Sequence, residues 1–257
     1  MTDFTHRMTR RRLLLALAAA GGAAALRPRA GRTAPEGMAS RRPKVVVELF
    51  TSQGCNACPP ADALMKELCQ RHGVLGISYN IDIWDYLGWR DTLARPEFTR
   101  RQRMYAKALG ATRVYTPQMI INGRRQVVGN AREKVLAAVA EETRGEGCQR
   151  VPLTLRHTRQ ALEIEIGETP ALAGREATLW LVTMRGKVAV KIARGENRGR
   201  EITYHHVARR IVPAGMWHGK AMRLSLPREE IMTRQADMCA ALLQLDTHGP
   251  IIAAAAL

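Results

Sequence analysis

The run KVVVELFTSQGCNACPPADALMKELCQRHG, residues 44–73, constrains the fold more than any other stretch of the chain. Lys44 to Phe50 is short, β-branched and apolar, as expected of a strand buried on both faces. Beyond the loop, Ala61, Leu64, Met65, Leu68 and Cys69 recur at the spacing of one helix face. Pro59 and Pro60 fall in the first turn of that helix, where a missing N–H is tolerated. Gly73 is placed to end it. Cys55 and Cys58, with two residues between them, therefore stand at a strand-to-helix junction, at the helix N-terminus.

The elements that follow are as plain. Val74 to Trp84 predicts a second strand, and Pro96 to Gly110 a helix that opens on Pro and closes on Gly. TPQMIING and RRQVVG give two short strands turning at Asn122-Gly123, the strongest short hairpin signal. Asn130 to Gly145 predicts a helix with Asn130 as its cap. The order is strand, helix, strand, helix, strand, strand, helix, with C-x-x-C after the first strand and Thr-Pro before the third. Over about residues 43–146 this resembles the thioredoxin fold. ELFTSQGCNACPPAD, YNIDIWDYLGW, PEFTRRQRMYA and RGENRGR together resemble a family of exported thioredoxin-like proteins catalogued as domain of unknown function 1223. That family supplies fold and context more than mechanism.

A thiol must ionise to attack a disulfide, and the unpaired N–H groups and partial positive charge of a helix N-terminus favour thiolate. The thioredoxin resemblance implies that Cys55 attacks, that Cys58 resolves the mixed disulfide, and that Thr116-Pro117 is the cis-proline site presenting an extended substrate. It implies protein thiols or disulfides as substrates and no organic cofactor. Gly54 replaces the Trp that precedes the thioredoxin motif, and Asn56-Ala57 replaces Gly-Pro within it, changes of a kind that alter redox poise. The direction of exchange stays open. So do two other readings: a structural disulfide within a non-catalytic binding or assembly module, and a copper(I) carrier with Met65 nearby. A lone C-x-x-C lacks the second ligand pair of a zinc site.

Ile81 to Pro96 follows the second strand, at the sheet end where ligands bind in open α/β folds. Trp84, Tyr86 and Trp89 are candidates for an apolar floor or lid, with Trp84 and Trp89 as substrate-binding residues. Asp82, Asp85 and Asp91 are candidates for a proton relay to Cys58. The competing reading is an aromatic cluster that pins the loop, with the acids as caps and turn formers. Asp62 caps the first helix or opposes the thiolate.

After Gly145 the pattern changes to short alternating segments such as ALEIEIGE, ATLWLVTM and KAMRLSLP, separated by Gly, Pro and charged turns. That spacing predicts an antiparallel β-sandwich. The expected architecture is an α/β thioredoxin-like domain over 43–147 followed by an all-β sandwich-like domain over 148–257. The loop Ala193 to Glu201 reads as a polar turn, with anion binding or docking on the redox face as the alternative. Cys148 and Cys239 either bridge the ends of the second domain or stay free. Cys69 reads as an inert buried thiol.

The first 42 residues stand apart. A charged start, a 14-residue apolar run from Leu13 to Leu26 and small residues near its end predict an export signal. The run is short of the roughly 20 residues a membrane-spanning helix needs. Arg10-Arg11 within TRRRLLL resembles the twin-arginine type, and Arg27 to Arg42 reads as a disordered linker. A periplasmic or secreted location, where disulfides persist, is the expectation. The formal net charge of +17 is spread among acids with no basic run interleaved with aromatics, so nucleic acid is not an expected partner.

Overall fold

Residues 40–257 are described by a computed structural model. The export signal and most of the linker expected over residues 1–42 lie outside the described residues. Strand β1 (Val45–Thr51) is buried throughout. It runs parallel to β2 (Val74–Asn80), and helix α1 (Pro59–Gln70) forms the crossover between them. Helix α2 (Pro96–Ala108) leads to β3 (Gln118–Ile121), antiparallel to β1, and then to β4 (Arg125–Val128) and α3 (Arg132–Arg144). The hairpin between β3 and β4 turns where expected. Asn122 and Gly123 both carry positive φ, 47° and 66°, the conformation that selects Asn-Gly.

Two boundaries differ from the sequence reading. The second strand stops at Asn80, and Asn130 does not cap α3. Ala131 holds that place without a side-chain cap, and the Asn130 amide instead donates to the Ala57 carbonyl at 3.3 Å.

The second half comprises β5 (Leu153–His157), β6 (Ala161–Ile166), β7 (Ala177–Lys191), β8 (Glu201–Trp217), β9 (Met222–Pro227), the single turn α4 (Arg228–Ile231), β10 (Met238–Leu245) and β11 (Ile251–Ala256). The expectation of a sandwich built from these strands alone is corrected. β7, β8, β10 and β11 extend the first sheet, giving the order β11-β10-β7-β8-β2-β1-β3-β4, and only β5, β6 and β9 form a separate antiparallel sheet. The reason lies in β2. From Leu75 to Asn80 every residue is buried, and a buried strand cannot leave its outer backbone groups unpaired. β8 takes that edge, with Val207 beside Ser78 and the Ser78 hydroxyl donating to the His205 carbonyl at 2.8 Å. Sandwich-like packing survives where the small sheet covers the outer strands, through Leu153, Ile164, Trp217, Leu243 and Ile252.

Alternate residues of β1 serve opposite faces. Val45, Val47 and Leu49 pack with α1 and α3. Val46 and Phe50 pack with Tyr79, with Phe98 and Tyr105 of α2, and with Val182 and Leu242 of the second half. Among them Glu48 and Arg101 form a buried ion pair, Nε to Oε1 at 2.7 Å. The Arg101 Nη2 donates to the Tyr105 hydroxyl at 2.9 Å and to Gln244 Oε1 at 3.1 Å. Tyr105 in turn donates to Glu48. Removing one partner strands a buried charge, so Arg101→Met or Glu48→Gln should each cost roughly 3–5 kcal/mol. Apolar replacement of both together should recover much of that loss. Urea unfolding midpoints of the three variants check it.

Candidate redox site

β1 delivers its chain to a buried turn, Ser52 to Gly54, in which the Cys55 N–H donates to the Ser52 carbonyl at 3.2 Å. Cys58 occupies the cap position of α1, and Pro59 and Pro60 fill the places where no donor is needed. The Cys58 carbonyl accepts from the N–H groups of Ala61 and Asp62 at 2.9 and 3.1 Å. Cys55 and Cys58 are joined as a disulfide, their Cα atoms 5.4 Å apart. Cys55 is 5% exposed and Cys58 0%. Both are buried, Cys55 slightly less completely than Cys58.

Four segments converge on this turn. Trp84 lies against Gly54, where an added Cβ would stand 3.0 Å from the Trp84 Cβ. The Trp84 indole donates to the Thr116 hydroxyl at 2.7 Å. It therefore spans from the Cys turn to the Thr116-Pro117 bond, which is cis. Gly129 sits between Pro117 and Ala61, close enough that a Cβ there would lie 3.0 and 3.2 Å from theirs, and this ties the proline loop to the start of α1. The Trp89 indole donates to Gln53 Oε1 at 2.8 Å. The last segment is the tip of the long β7–β8 hairpin. There Asn197, fully buried, donates to the carbonyls of Gln53 and Cys55 at 2.9 and 2.8 Å.

Residues 46–244 match the family described as Protein of unknown function (DUF1223). The chain belongs to the DUF1223 family. It is similar to the crystal structure of an Agrobacterium tumefaciens protein, a structural-genomics target, with 34% identity and a TM-score of 0.70. That likeness covers 84% of this chain and 94% of the other. HBP35 of Porphyromonas gingivalis, 13% identical, superposes with a TM-score of 0.58 over 84% of this chain and 75% of its own, a likeness of fold alone. No protein of curated function matches the chain.

The acids of this DUF1223 chain are placed unequally. Asp82 accepts from the Thr99 hydroxyl of α2 at 2.7 Å. Asp85 accepts from the Asp91 N–H at 3.0 Å. The first ties the loop to α2, and the second is the bond of a turn former. Asp91 is buried and accepts from the Gln53, Leu93 and Ala94 N–H groups and from Asn80, a brace for the turn ahead of Cys55. Burial raises its pKa against the pull of those bonds.

Asp62 differs from all of them. It is 3% exposed, and neither carboxyl oxygen has a well-formed hydrogen bond. Burial pushes its pKa to about 8, opposed only by the neighbouring Thr51 hydroxyl, which lies short of good bonding geometry. Four residues after Cys58, it shares that residue's helix face. In the sequence Asp62 reads only as a cap or a repulsive charge, because spacing does not reveal burial.

Met65 is fully buried among the apolar residues beneath α1. Cys69, Cys148 and Cys239 are free thiols, each pushed up to about 12 chiefly by burial. Cys148 and Cys239 belong to different cores, so the bridge between them considered from sequence is not formed. Among the described residues no cluster of three or more His, Cys, Asp or Glu side chains forms a metal site.

The sign of the Asp62 effect is fixed by its raised value. From its ordinary value of 3.8 up to about 8, the unfolded chain releases the proton and the folded chain keeps it. Stability therefore falls as pH rises through that window, by about 1.4 kcal/mol per unit. Asp62→Asn should match the parent near pH 4 and exceed it by several kcal/mol at pH 8. Denaturant midpoints across that range check it.

Proposed function

We propose that this DUF1223 protein is an exported thiol–disulfide oxidoreductase acting on protein thiols or disulfides through Cys55 and Cys58. We read residues 43–147 as its thioredoxin-like domain and residues 148–257 as the part that covers the site. One observation carries the reading: a disulfide at the start of α1, with Cys55, on the loop side, the less enclosed of the two residues. The cis Thr116-Pro117 loop and Trp84 beside it support a surface for an extended substrate.

The exchange balances without a cofactor. A substrate thiolate attacks the Cys55 sulfur, the Cys55–Cys58 bond breaks, and Cys58 leaves as thiolate. A second substrate thiolate attacks the mixed disulfide and releases Cys55. The substrate loses two electrons and the pair gains two. The same steps in reverse reduce a substrate disulfide. Asp62, protonated at neutral pH and one turn from Cys58, supplies the proton that the buried Cys58 thiolate takes up. Asp82 and Asp85 have no part in this scheme.

In Cys58→Ser the mixed disulfide on Cys55 has no resolving thiol, so partner proteins should accumulate on it and be released by dithiothreitol. Cys55→Ser should trap few or none, since Cys58 is enclosed. A second reading, a structural disulfide in a binding module, draws on how firmly the turn is held by Asn197 and Asn130. It predicts no trapping by either variant and a pair resistant to dithiothreitol.

Export is part of the proposal and rests on the signal-like N-terminus. Changing Arg10 and Arg11 together to Lys should leave precursor inside the cell, read by fractionation and immunoblot; unchanged export would remove the twin-arginine assignment.

A further inference from the structure

The β7–β8 hairpin is longer than sheet pairing alone requires, and its distal part leaves the sheet as an arm that reaches the Cys turn. Apolar packing fixes its course. Ile192, Ile202, Tyr204 and Val207 bury against Leu93, with Val188, Val190 and Trp89 at the margin. The tip is a closed structure. The Gly199 N–H donates to Ile192 at 2.8 Å and the Arg200 N–H to Asn197 at 3.1 Å. Gly195 adopts φ of +75° directly against Trp89, whose Cβ would lie 3.2 Å from an added side chain. A Cβ there would be both strained and crowded.

At its end the arm grips one peptide unit from both sides. The Cys55–Asn56 peptide offers its carbonyl to the Asn197 amide at 2.8 Å. It offers its N–H to Glu196 Oε2 at 3.3 Å. Asn197 is fully buried, and its orientation is determined by its partners. Its Oδ1 accepts from Arg200 at 3.2 Å while its Nδ2 faces two carbonyl oxygens. The flipped amide would set oxygen against both carbonyls.

This grip bears on the sulfur. Amide N–H groups at a helix start are what a thiolate there draws on for stabilisation, and a nearby carboxylate disfavours the charged thiol. Glu196 does both at once: it occupies the Asn56 N–H and brings a negative charge beside the turn. Asn197 does neither; it holds the carbonyl of the attacking cysteine in place.

We propose that the tip of the β7–β8 arm sets the reactivity of Cys55, with Asn197 as a positioning residue and Glu196 as an electrostatic brake on thiolate formation. This rests on the reading that the Cys55–Cys58 pair undergoes exchange, and it adds a control element contributed by the second half of the chain.

The test uses the full chain, as parent, E196Q and N197A. For each, the rate of Cys55 alkylation by iodoacetamide is followed in the reduced protein from pH 5 to 8. Each is also equilibrated with dithiothreitol buffers of known ratio. E196Q keeps the shape and an acceptor for the Asn56 N–H while removing the charge. It should move the alkylation profile to lower pH, with about threefold or greater rate at pH 6. The dithiol-to-disulfide equilibrium should shift toward dithiol in step. Because Glu196 is exposed, the difference should shrink in 1 M salt. N197A keeps the charge but leaves the Cys55 carbonyl only the Cys58 N–H at 3.3 Å, so its disulfide should re-form about tenfold more slowly as the two sulfurs lose fixed orientation. An alkylation profile and equilibrium in E196Q equal to the parent's, or moved the other way, overturns the proposal while leaving the exchange reading intact. A parent pair that dithiothreitol does not reduce overturns both.

Discussion

The ion pair of Glu48 and Arg101 is the constraint on which the rest of the structure leans. Glu48 lies on the strand that delivers the chain to the Cys turn, and Arg101 on the helix that follows the Trp-rich segment. Two charges out of water are tolerated only when their remaining hydrogen-bonding capacity is filled. Here Tyr105 and Gln244 fill part of it, leaving the buried Arg101 Nη1 without a partner, and Gln244 comes from β10. The guanidinium also lies 4.9 Å from the Tyr105 ring centre and 5.4 Å from that of Trp180 on β7. One buried charge therefore needs groups from both halves of the chain, so the halves share a core.

That shared core explains why the second half covers the site. Once β10 and β7 are fixed against α2, β8 is carried to the open edge of β2, where Val207 meets Ser78. The part of the β7–β8 hairpin beyond that register has no sheet to join. Its apolar residues find Leu93 and Trp89 instead, in the segment that follows β2. The arm ends on the Cys turn as a consequence of sheet order. A thioredoxin-like start alone would leave the Cys55 carbonyl only the long bond from the Cys58 N–H at 3.3 Å; here it is also held by a residue 142 positions away.

The legible part of this arrangement was whatever local chemistry dictates. A strand with apolar β-branched residues, a Pro-started helix, an Asn-Gly hairpin and a C-x-x-C at the junction each announce themselves within a few residues. The sheet order did not, because β7 and β8 carry the alternation of ordinary antiparallel strands, and nothing in that alternation names the neighbour. Asn197 stood in a loop whose Gly, Arg and Asn content fits any polar turn, and only its burial gives it a role. Asp62 was visible as an acid in a first turn, the commonest place for one, and its lack of partners is a property of the packed state. Position after β2 makes Asp82 and Asp85 relay candidates, and only the structure shows each accepting a hydrogen bond elsewhere, from the Thr99 hydroxyl and the Asp91 N–H.

The same features weigh a working disulfide against a stapling one. A disulfide stabilises chiefly by closing a loop in the unfolded chain, and the gain grows with loop length. Cys55 and Cys58 are only three positions apart, a closure worth about 2 kcal/mol by that reckoning. Cys148 and Cys239, whose closure would span far more chain, are free. Against that small gain stands Asp62, a carboxyl enclosed on the same helix face as Cys58 without a well-formed bond, whose cost to the fold grows with pH up to about 8. A staple has no use for such a group. A buried thiol that must give up and take back a proton near neutral pH does, since a proton carrier works best when its own pKa lies near the operating pH. The cost of Asp62 is therefore intelligible as part of an exchange site and unexplained as part of a structural one.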